Sequence, residues 1–454
     1  MKKIFVLIFL ISSITQAQYN IKGTITPDLK SDWVILYKIE GAKQIFIKNT
    51  KIEVDSILID DKKQAIGNFN FTLPNDAAPG VYRATYRLEE HGYIDFIFDK
   101  EDITFVFNPD YPDQSVLFSK SSENIFYKQY LSEISKAQQT LDSLQITALR
   151  NPSLDLKKDY KTALQQVENI QQGYLTASKN MYVQPFIKAT LRANPKEIKT
   201  SPNEYMSNMV ATFFDNMDFS NKTLINSSFL VDRITDYIFY INYSDNKETQ
   251  QKLFKNSIKT VLSKITDLSF KKDVIEFLVT QFEESKNLEL IGDLFENYYK
   301  RLPENIQNKK FINEKLSLFA TEIGSIAPDF SWKENNKNYS LSKLNDAENY
   351  VLVFWSTDCS HCLREIPELH KFMQKSTKTK VIAFAMERNN STWNEMKKTL
   401  PNWHHILGLN KWENKTARVY NINATPTYFV LDNTKKIIAK PDNISDVKAF
   451  LENK

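Results

Sequence analysis

The nine residues 354–362 read Phe-Trp-Ser-Thr-Asp-Cys-Ser-His-Cys and contain both cysteines of this 454-residue chain, Cys359 and Cys362. The apolar run Tyr350 to Trp355 predicts a strand, and the residues from about Ser360 to Gln374 predict a helix. A thiol at the first turn of such a helix is exposed, and the helix dipole favours its thiolate. Because the chain has no other thiol, this pair is the main candidate for its chemistry.

Composition and spacing exclude several other classes of function. The formal net charge is +4, from 59 basic and 55 acidic residues, which gives no electrostatic case for nucleic-acid binding. The two closest glycines, Gly80 and Gly92, are 12 positions apart, so neither a dinucleotide-binding motif nor a P-loop can be present. His404 and His405 are neighbours on a predicted strand and point to opposite faces, so we expect no metal there. No organic cofactor is predicted, since the cysteine pair can itself carry electrons.

The first 17 residues have the three parts of a secretory signal peptide. A basic start precedes the apolar run Ile4 to Ile11, and small residues at Thr15 and Ala17 suit cleavage before Gln18. A membrane anchor is the alternative, but this run is too short to span about 30 Å of hydrocarbon. We therefore expect an exported, soluble protein of the periplasm or cell envelope of a bacterium, where thiols meet oxidants.

Three successive patterns predict a multidomain chain. Residues 18–115 predict an antiparallel β domain of the sandwich type, because runs such as Asn68 to Leu73 alternate with period two between turn residues. Residues 116–320 change to a helical period and predict an all-α region. In residues 321–454 strands alternate with helices, which predicts an α/β sheet covered on both faces.

Motifs of this last region are arranged as Gly324-x-x-Ala327-Pro328-x-Phe330, Phe354-Trp355 before Cys359-x-x-Cys362, Glu365-x-Pro367-x-Leu369 and Ala424-Thr425-Pro426-Thr427. In that order and spacing they resemble the TlpA/ResA-like branch of the exported thioredoxin family, over roughly Ile323 to Lys454. By pattern and position, the N-terminal region resembles the β domain of unknown function that commonly precedes an exported thioredoxin fold. The resemblance implies a thioredoxin fold for the C-terminal domain.

Within this frame the two cysteines have different expected roles. Cys359 is the predicted attacking thiolate, and Cys362, one turn into the helix, is the resolving thiol that displaces the bound partner. Their spacing allows a Cys359–Cys362 disulfide without backbone movement. A static structural disulfide is the alternative, but closing a two-residue loop gains little entropy.

The resemblance also implies roles for residues outside the pair. The family proline matched by Pro426 has a cis bond and faces the cysteines, so Thr425 and Pro426 are expected to bind the substrate. Glu365 stands where this branch often carries a carboxylate that helps proton handling, and an ordinary solvated glutamate is the equal alternative. Trp355 is expected to pack beside the site.

Two departures from the family pattern leave the direction of electron flow open. Asp358 replaces the usual tryptophan, and a carboxylate beside Cys359 should raise the pKa of that thiol. His361 replaces the usual proline, so Ser360-His361 resembles the dipeptide of oxidising members such as DsbA and protein disulfide isomerase, where an imidazole stabilises the thiolate. Asp358 and His361 therefore either act in opposite directions or pair with each other.

The sequence predicts an exported thiol-disulfide oxidoreductase that acts on protein thiols and disulfides, with a reductase favoured over an oxidase. Its redox partner would be another dithiol protein, a membrane electron donor or acceptor. A thiol peroxidase is one alternative, because the Gly-x-x-Ala-Pro-x-Phe motif also resembles that of peroxiredoxins, which share the fold and place their peroxidatic cysteine near a threonine and an arginine. Thr357 and Arg364 lie near the cysteines here, although the neighbouring Cys362 fits dithiol exchange better. The other alternative is an envelope binding module, built from the β and helical regions, with an accessory thioredoxin fold.

Overall fold

The computed structural model divides the chain into two compact units, one that ends at Gln307 and one that begins at Asn308. The structure describes residues 18–453 except 28, 30, 60, 89–91 and 335. The predicted signal peptide, residues 1–17, lies outside the described residues. In the described part of the chain, no helix combines the length and the apolar character needed to cross a membrane.

The first unit begins with two facing β-sheets. Their strands, with one short helix, are β1 (Gln18–Ile25), β2 (Trp33–Glu40), β3 (Lys43–Lys51), β4 (Glu53–Ile59), β5 (Lys62–Pro74), β6 (Gly80–Thr85), β7 (Tyr93–Phe98), β8 (Ile103–Phe107), α1 (Pro112–Ser115) and β9 (Leu117–Lys120). One sheet has the order β4-β5-β1-β8-β9 and the other the order β3-β2-β6-β7. All pairings are antiparallel except β1 with β8, which is parallel. The predicted sandwich-like β domain is confirmed.

The period-two pattern that predicted this sandwich has a direct structural cause. Phe69, Phe71 and Leu73 alternate along β5 and are all buried in the core between the sheets. The Phe69 and Phe105 rings pack edge to face with centroids 5.9 Å apart, which joins β5 to β8 across the intervening strand β1. Aromatic side chains on alternate positions therefore supply much of the buried area of this small core.

A helical region follows the sandwich within the same unit, as predicted. Its helices are α2 (Ser122–Arg150), α3 (Lys157–Ala177), α4 (Gln184–Ala189), α5 (Pro202–Thr212), α6 (Lys222–Ile225), α7 (Phe229–Thr235), α8 (Lys247–Lys264), α9 (Leu268–Glu284) and α10 (Leu288–Asn297). A π-helical turn, Asp236–Ile241, continues α7. Side chains of Asn246, Asp267 and Asn287 cap the N-termini of α8, α9 and α10 by accepting backbone hydrogen bonds.

The second unit contains an α/β sheet. Its elements are α11 (Lys309–Ala320), β10 (Ser331–Glu334), β11 (Lys337–Ser340), β12 (Asn349–Trp355), α12 (Ser360–Met373), β13 (Thr379–Glu387), α13 (Ser391–Lys398), β14 (His404–Leu409), α14 (Lys415–Val419), β15 (Thr427–Asp432), β16 (Ile437–Ala439) and α15 (Ile444–Glu452). The main sheet has the order β14-β13-β12-β15-β16, and β10 pairs with β11 in a separate hairpin. The strands β12, β13 and β14 are parallel, whereas β15 and β16 are antiparallel to their neighbours.

The central strand β12 explains why the sheet is covered on both faces. Alternate residues of β12 belong to two separate cores, Tyr350, Leu352 and Phe354 to one and Val351, Val353 and Trp355 to the other. All seven residues of the strand are buried, which is typical of a strand between two helical layers. The carboxyl end of β12 therefore leads directly from the core into the segment that contains the cysteines.

Two element positions differ from the predicted domain boundaries. Strand β9 pairs with β8, so the β region continues past the predicted end at residue 115. Helix α11 belongs to the second unit, although its helical period groups it by sequence with residues 116–320. The hydroxyl of Ser325 donates a 2.8 Å hydrogen bond to the Phe319 carbonyl, which ties the end of α11 to the following domain. A sequence period records the helix but not the unit against which it packs.

Candidate functional site

The cysteines lie at the junction between β12 and α12, where the sequence predicted them. Cys359 is the N-cap residue of α12, and its sulfur accepts a 3.2 Å hydrogen bond from the backbone N–H of Cys362. Cys359 is partly exposed, whereas Cys362 is fully buried in the core that also contains Trp355. Both are free thiols in the structure. The partly exposed sulfur of Cys359 and the buried sulfur of Cys362 are therefore adjacent.

The loop before β15, which is distant from the cysteines in sequence, contacts the sulfur of Cys359. The Thr425–Pro426 peptide bond is cis. The Cys359 thiol donates a 3.2 Å hydrogen bond to the Thr425 carbonyl, although the two residues are 66 positions apart. The structure thus brings Thr425, which precedes the cis proline Pro426, to the cysteine pair, while the role of both residues in substrate binding stays a prediction.

The environment separates the acidities of the two thiols. Burial disfavours ionisation of Cys359, but side-chain hydrogen bonds with Cys362 and Thr425 and hydrogen bonds from the backbone N–H groups of Cys362 and His361 outweigh it, so the pKa of Cys359 lies below its ordinary value. Burial and the hydrogen bond with Cys359 raise the pKa of Cys362 to about 12. The exposed thiol is thus the one that ionises first.

This asymmetry predicts the pH dependence of alkylation by iodoacetamide. Because the pKa of Cys359 is lowered, the thiolate forms and the alkylation rate rises at lower pH than for an unperturbed cysteine. Cys362 should stay unmodified in the folded protein across the neutral range, since its pKa is about 12. Mass spectrometry of the reduced protein at a series of pH values would measure both rates. Equal labelling of the two cysteines near neutral pH would contradict the prediction.

Glu365 makes two hydrogen bonds that the sequence did not indicate. Its Oε2 atom accepts from the Tyr428 hydroxyl at 2.9 Å and from the backbone N–H of Ile444 at 3.1 Å. Burial and the Glu365 carboxylate raise the pKa of Tyr428, which therefore stays a neutral donor. Glu365 thus joins α12 to β15 and to the first turn of α15, and its proposed part in proton handling remains a prediction.

Asp358 and His361 do not pair with each other, which corrects one of the two alternatives drawn from the sequence. The exposed Asp358 carboxylate accepts a 2.6 Å hydrogen bond from the Lys411 ammonium group. The Nδ1 atom of His361 lies 3.1 Å from the Arg364 guanidinium, one helical turn further along α12. The expected increase in the pKa of Cys359 caused by Asp358 does not dominate, because the net pKa of that thiol is lowered.

The turn between Trp355 and Cys359 is held by a buried carboxylate. Glu387 ends β13 and is only 3% exposed. Its Oε1 atom accepts a 2.6 Å hydrogen bond from the backbone N–H of Thr357. Trp355 itself is buried in the core that contains Cys362, so it packs beside the site as the resemblance implied.

A cavity of about 130 Å³ opens beside Cys359. Its walls include Met386, Lys411 and Trp412, none of which the sequence analysis selected, together with Thr425. Trp412 is 48% exposed, which is unusual for so large an apolar side chain. The available signal was a tryptophan within the polar stretch 410–414, without any indication that it faces the cysteines.

The histidines that the sequence considered for a metal do not converge. His404 lies 3.1 Å from an oxygen of Asp346, whereas the Nε2 atom of His405 lies 2.8 Å from the Leu400 carbonyl. Among the described residues, no group of three or more histidine, cysteine, aspartate or glutamate side chains is arranged to hold a metal ion.

Comparison with known protein families gives one match, over residues 323–440, to the model of the AhpC/TSA family. The C-terminal domain is an AhpC/TSA-type thioredoxin-like domain. The match covers the region whose motifs resemble the exported thioredoxin family, and that prediction is confirmed at the level of the domain. No curated protein matches the chain.

Solved structures similar to this domain include three bacterial proteins. A domain of a possible thiol-disulfide isomerase from Cytophaga hutchinsonii is 28% identical, with a TM-score of 0.26, and the match covers 29% of this chain and 92% of that one. The thioredoxin domain of a thiol-disulfide oxidoreductase from Bacteroides vulgatus is 23% identical (TM-score 0.26; 29% of this chain, 96% of that one). A thiol-disulfide oxidoreductase from Bacteroides fragilis is also 23% identical (TM-score 0.26; 28% and 98%).

Proposed function

We propose that this protein is an exported thiol-disulfide oxidoreductase that exchanges disulfides with protein substrates through Cys359 and Cys362. The observation that carries the proposal is the difference between the two thiols. Cys359 is partly exposed, caps a helix and has a lowered pKa, whereas Cys362 is buried and has a raised pKa. An accessible nucleophile and a protected second thiol are what a two-step exchange requires.

The exchange follows from this geometry. The Cys359 thiolate attacks one sulfur of a substrate disulfide, which forms a mixed disulfide and releases the other substrate sulfur as a thiolate. Cys362 then loses its proton and attacks the Cys359 sulfur, which releases the second substrate thiolate and closes the Cys359–Cys362 disulfide. Two electrons pass to the substrate, and the two substrate thiolates take up protons. The reverse sequence oxidises a substrate dithiol.

Because the pKa of Cys362 is raised, the second step requires a base that removes the Cys362 proton. Cys362 keeps its proton while Cys359 is a thiolate, because burial and the Cys359 sulfur both disfavour a second negative charge. Once Cys359 enters a mixed disulfide, its negative charge is gone and deprotonation of Cys362 becomes easier. The pair is thereby kept from forming two thiolates at once, and the resolving step begins only after a partner has bound.

A reductase is the favoured direction, and the reduction potential tests it. Equilibration of the Cys359–Cys362 couple with a glutathione buffer, followed by alkylation and mass spectrometry, gives the potential directly. We expect a value near that of thioredoxin, about −270 mV, while a value near that of DsbA, about −120 mV, would identify an oxidase. Because the lowered pKa of Cys359 stabilises the dithiol form, any departure from the value of thioredoxin should be towards the oxidising end.

A thiol peroxidase is the second candidate, because the family match is to AhpC/TSA proteins. The site itself supports dithiol exchange better than peroxide reduction. Cys362 lies three positions after Cys359, and its backbone N–H donates a hydrogen bond to the Cys359 sulfur. Steady consumption of hydrogen peroxide by the reduced protein, at rates above those with insulin, would favour the peroxidase over the exchange function.

The physiological partners are proposed from the same chemistry. Protein thiols and disulfides are the substrate class, and a membrane dithiol protein would supply or accept the electrons after each cycle. Export is proposed from the basic and apolar pattern of residues 1–17. The β-sandwich and the helical region would then serve to bind envelope partners. This role is tested by the Cys359→Ala variant, in which partner binding should persist.

A further inference from the structure

The residue before the nucleophile, Asp358, carries a negative charge. Asp358 directly precedes Cys359 and lines the same cavity. A carboxylate close to a thiolate raises the pKa of the thiol, because two negative charges repel. The site nevertheless has to produce a Cys359 thiolate if it is to start an exchange. How strongly Asp358 opposes that thiolate depends on whether a positive charge pairs with its carboxylate.

Lys411 is placed to supply that charge. Its Nζ atom lies 2.6 Å from Oδ2 of Asp358, and its side chain is 22% exposed whereas that of Asp358 is 62% exposed. Lys411 also lines the cavity beside Cys359. The pair therefore places a compensating positive charge at the mouth of the cavity, although the two residues are 53 positions apart in sequence.

The backbone around Lys411 supports a positioning role. Asn410 and Lys411 have φ angles of 71° and 44°, in the left-handed region that residues other than glycine rarely adopt. Asn410 alone connects β14 to the 3₁₀ turn Lys411–Glu413, and Lys411 begins that turn. Such a conformation persists only where its surroundings hold it, and it is found preferentially at functional sites. Here it directs Lys411 and Trp412 to the cavity beside the nucleophile.

We propose that Lys411 is a positioning residue for the reaction, which holds the Asp358 carboxylate in an ion pair and so keeps its negative charge from suppressing the Cys359 thiolate. Reactivity of the nucleophile thus depends on a residue of the β14–α14 connection. The inference rests on the proposed role of Cys359 as the nucleophile. Disulfide exchange also requires that a partner protein binds, so the role of Lys411 and the exchange function can be tested separately.

Other charged groups surround the pair and enter the same balance. Arg388, which directly follows β13, adds a weaker attraction that lowers the pKa of Asp358 after the larger contribution of Lys411. His361 and Arg364 lie on α12 and contact each other. Two acids of this region are engaged by other groups, Glu387 by Thr357 and Glu365 by Tyr428 and Ile444. Among these contacts, the hydrogen bond from Lys411 is the main cause that lowers the pKa of Asp358.

Alkylation of the reduced full-length protein by iodoacetamide, followed as a function of pH, tests the inference without any substrate. In Lys411→Met the Asp358 charge is unpaired, so alkylation below the titration midpoint should be about threefold to tenfold slower than in the wild type. Lys411→Arg should keep the wild-type profile. Lys415→Met is the matched control, because it removes the same charge from an exposed lysine four positions away that does not line the cavity.

The double variant Asp358→Asn/Lys411→Met decides between charge and structure. If Lys411 acts by offsetting Asp358, removal of both charges should return the alkylation profile to within about twofold of the wild type. A double variant as slow as Lys411→Met alone would overturn the inference, and so would an unchanged profile in Lys411→Met. If Lys411→Met loses insulin reduction but keeps an unaltered alkylation profile, that result contradicts this inference and leaves the exchange function standing.

Discussion

The Cys359→Ser variant should reduce insulin no faster than dithiothreitol does without protein. The remaining thiol, Cys362, is fully buried, and burial is the main cause that raises its pKa to about 12. In the wild type, a thiol with that pKa has on the order of 10⁻⁵ of its population as thiolate at pH 7, and burial, the larger cause, remains when Cys359 is replaced. Without Cys359 the chain therefore has neither an accessible thiol nor a useful concentration of thiolate, and catalysed turnover should fall by at least about a thousandfold.

Insulin precipitation in the presence of dithiothreitol measures this loss. Ser360→Ala is the matched control, since it changes the neighbouring exposed residue and leaves both sulfurs in place. A thermal unfolding curve close to that of the wild type would show that the serine variant is folded. Catalysed turnover that persists in a folded Cys359→Ser protein would rule out the proposed function.

The Cys362→Ser variant should form a mixed disulfide with its substrate and stop there. The substitution keeps the backbone N–H that bonds the Cys359 sulfur, so the nucleophile retains this source of its lowered pKa. It removes the only group that can displace the bound partner from within the protein. Attack on a disulfide substrate therefore proceeds, whereas release does not, and turnover falls while a covalent complex accumulates.

Non-reducing gel electrophoresis and mass spectrometry after mixing with a disulfide-containing protein would detect the complex. Dithiothreitol should reduce the mixed disulfide and separate the two proteins. The double variant Cys359→Ser/Cys362→Ser should form no complex. Wild-type protein should show the complex only briefly, because Cys362 resolves it. A stable adduct linked through Cys362 in the Cys359→Ser variant would reverse the assigned roles of the two sulfurs.

Local patterns were sufficient for most of the fold. The period-two run Asn68 to Leu73 falls within β5, and the predicted last helix, Ile444 to Glu452, agrees with α15. These elements are specified by the alternation or helical spacing of their own residues, which is legible in one sequence. The parallel pairing of β1 with β8 was not predicted, because it depends on strands far apart in the chain.

The site was predictable only in part, for the same reason. The cysteine pair is local, and its position at a helix start follows from the residues on either side. The approach of Thr425 to Cys359 was expected from family resemblance alone. Lys411 and Tyr428 come from other segments, and nothing in their own neighbourhoods indicates that they reach Asp358 or Glu365.

The alternative in which Asp358 pairs with His361 fails for a geometric reason. Asp358 precedes the N-cap of α12 and His361 lies within the first turn, so the two side chains need not share a direction even though they are three positions apart. His361 instead follows the helical rule and meets Arg364, three positions further along. Sequence distance predicts a contact only when both residues belong to one regular element.

The proximity of a buried thiol to an exposed one also bears on oxidative damage. If a peroxide oxidises Cys359 to a sulfenic acid, Cys362 is the nearest thiol, and its attack on that sulfur would form the disulfide and release water. The intramolecular reaction competes with further oxidation to sulfinic or sulfonic acid, which cells rarely reverse. A chain that works among oxidants would thus convert an irreversible lesion into the ordinary oxidised state of its own cycle.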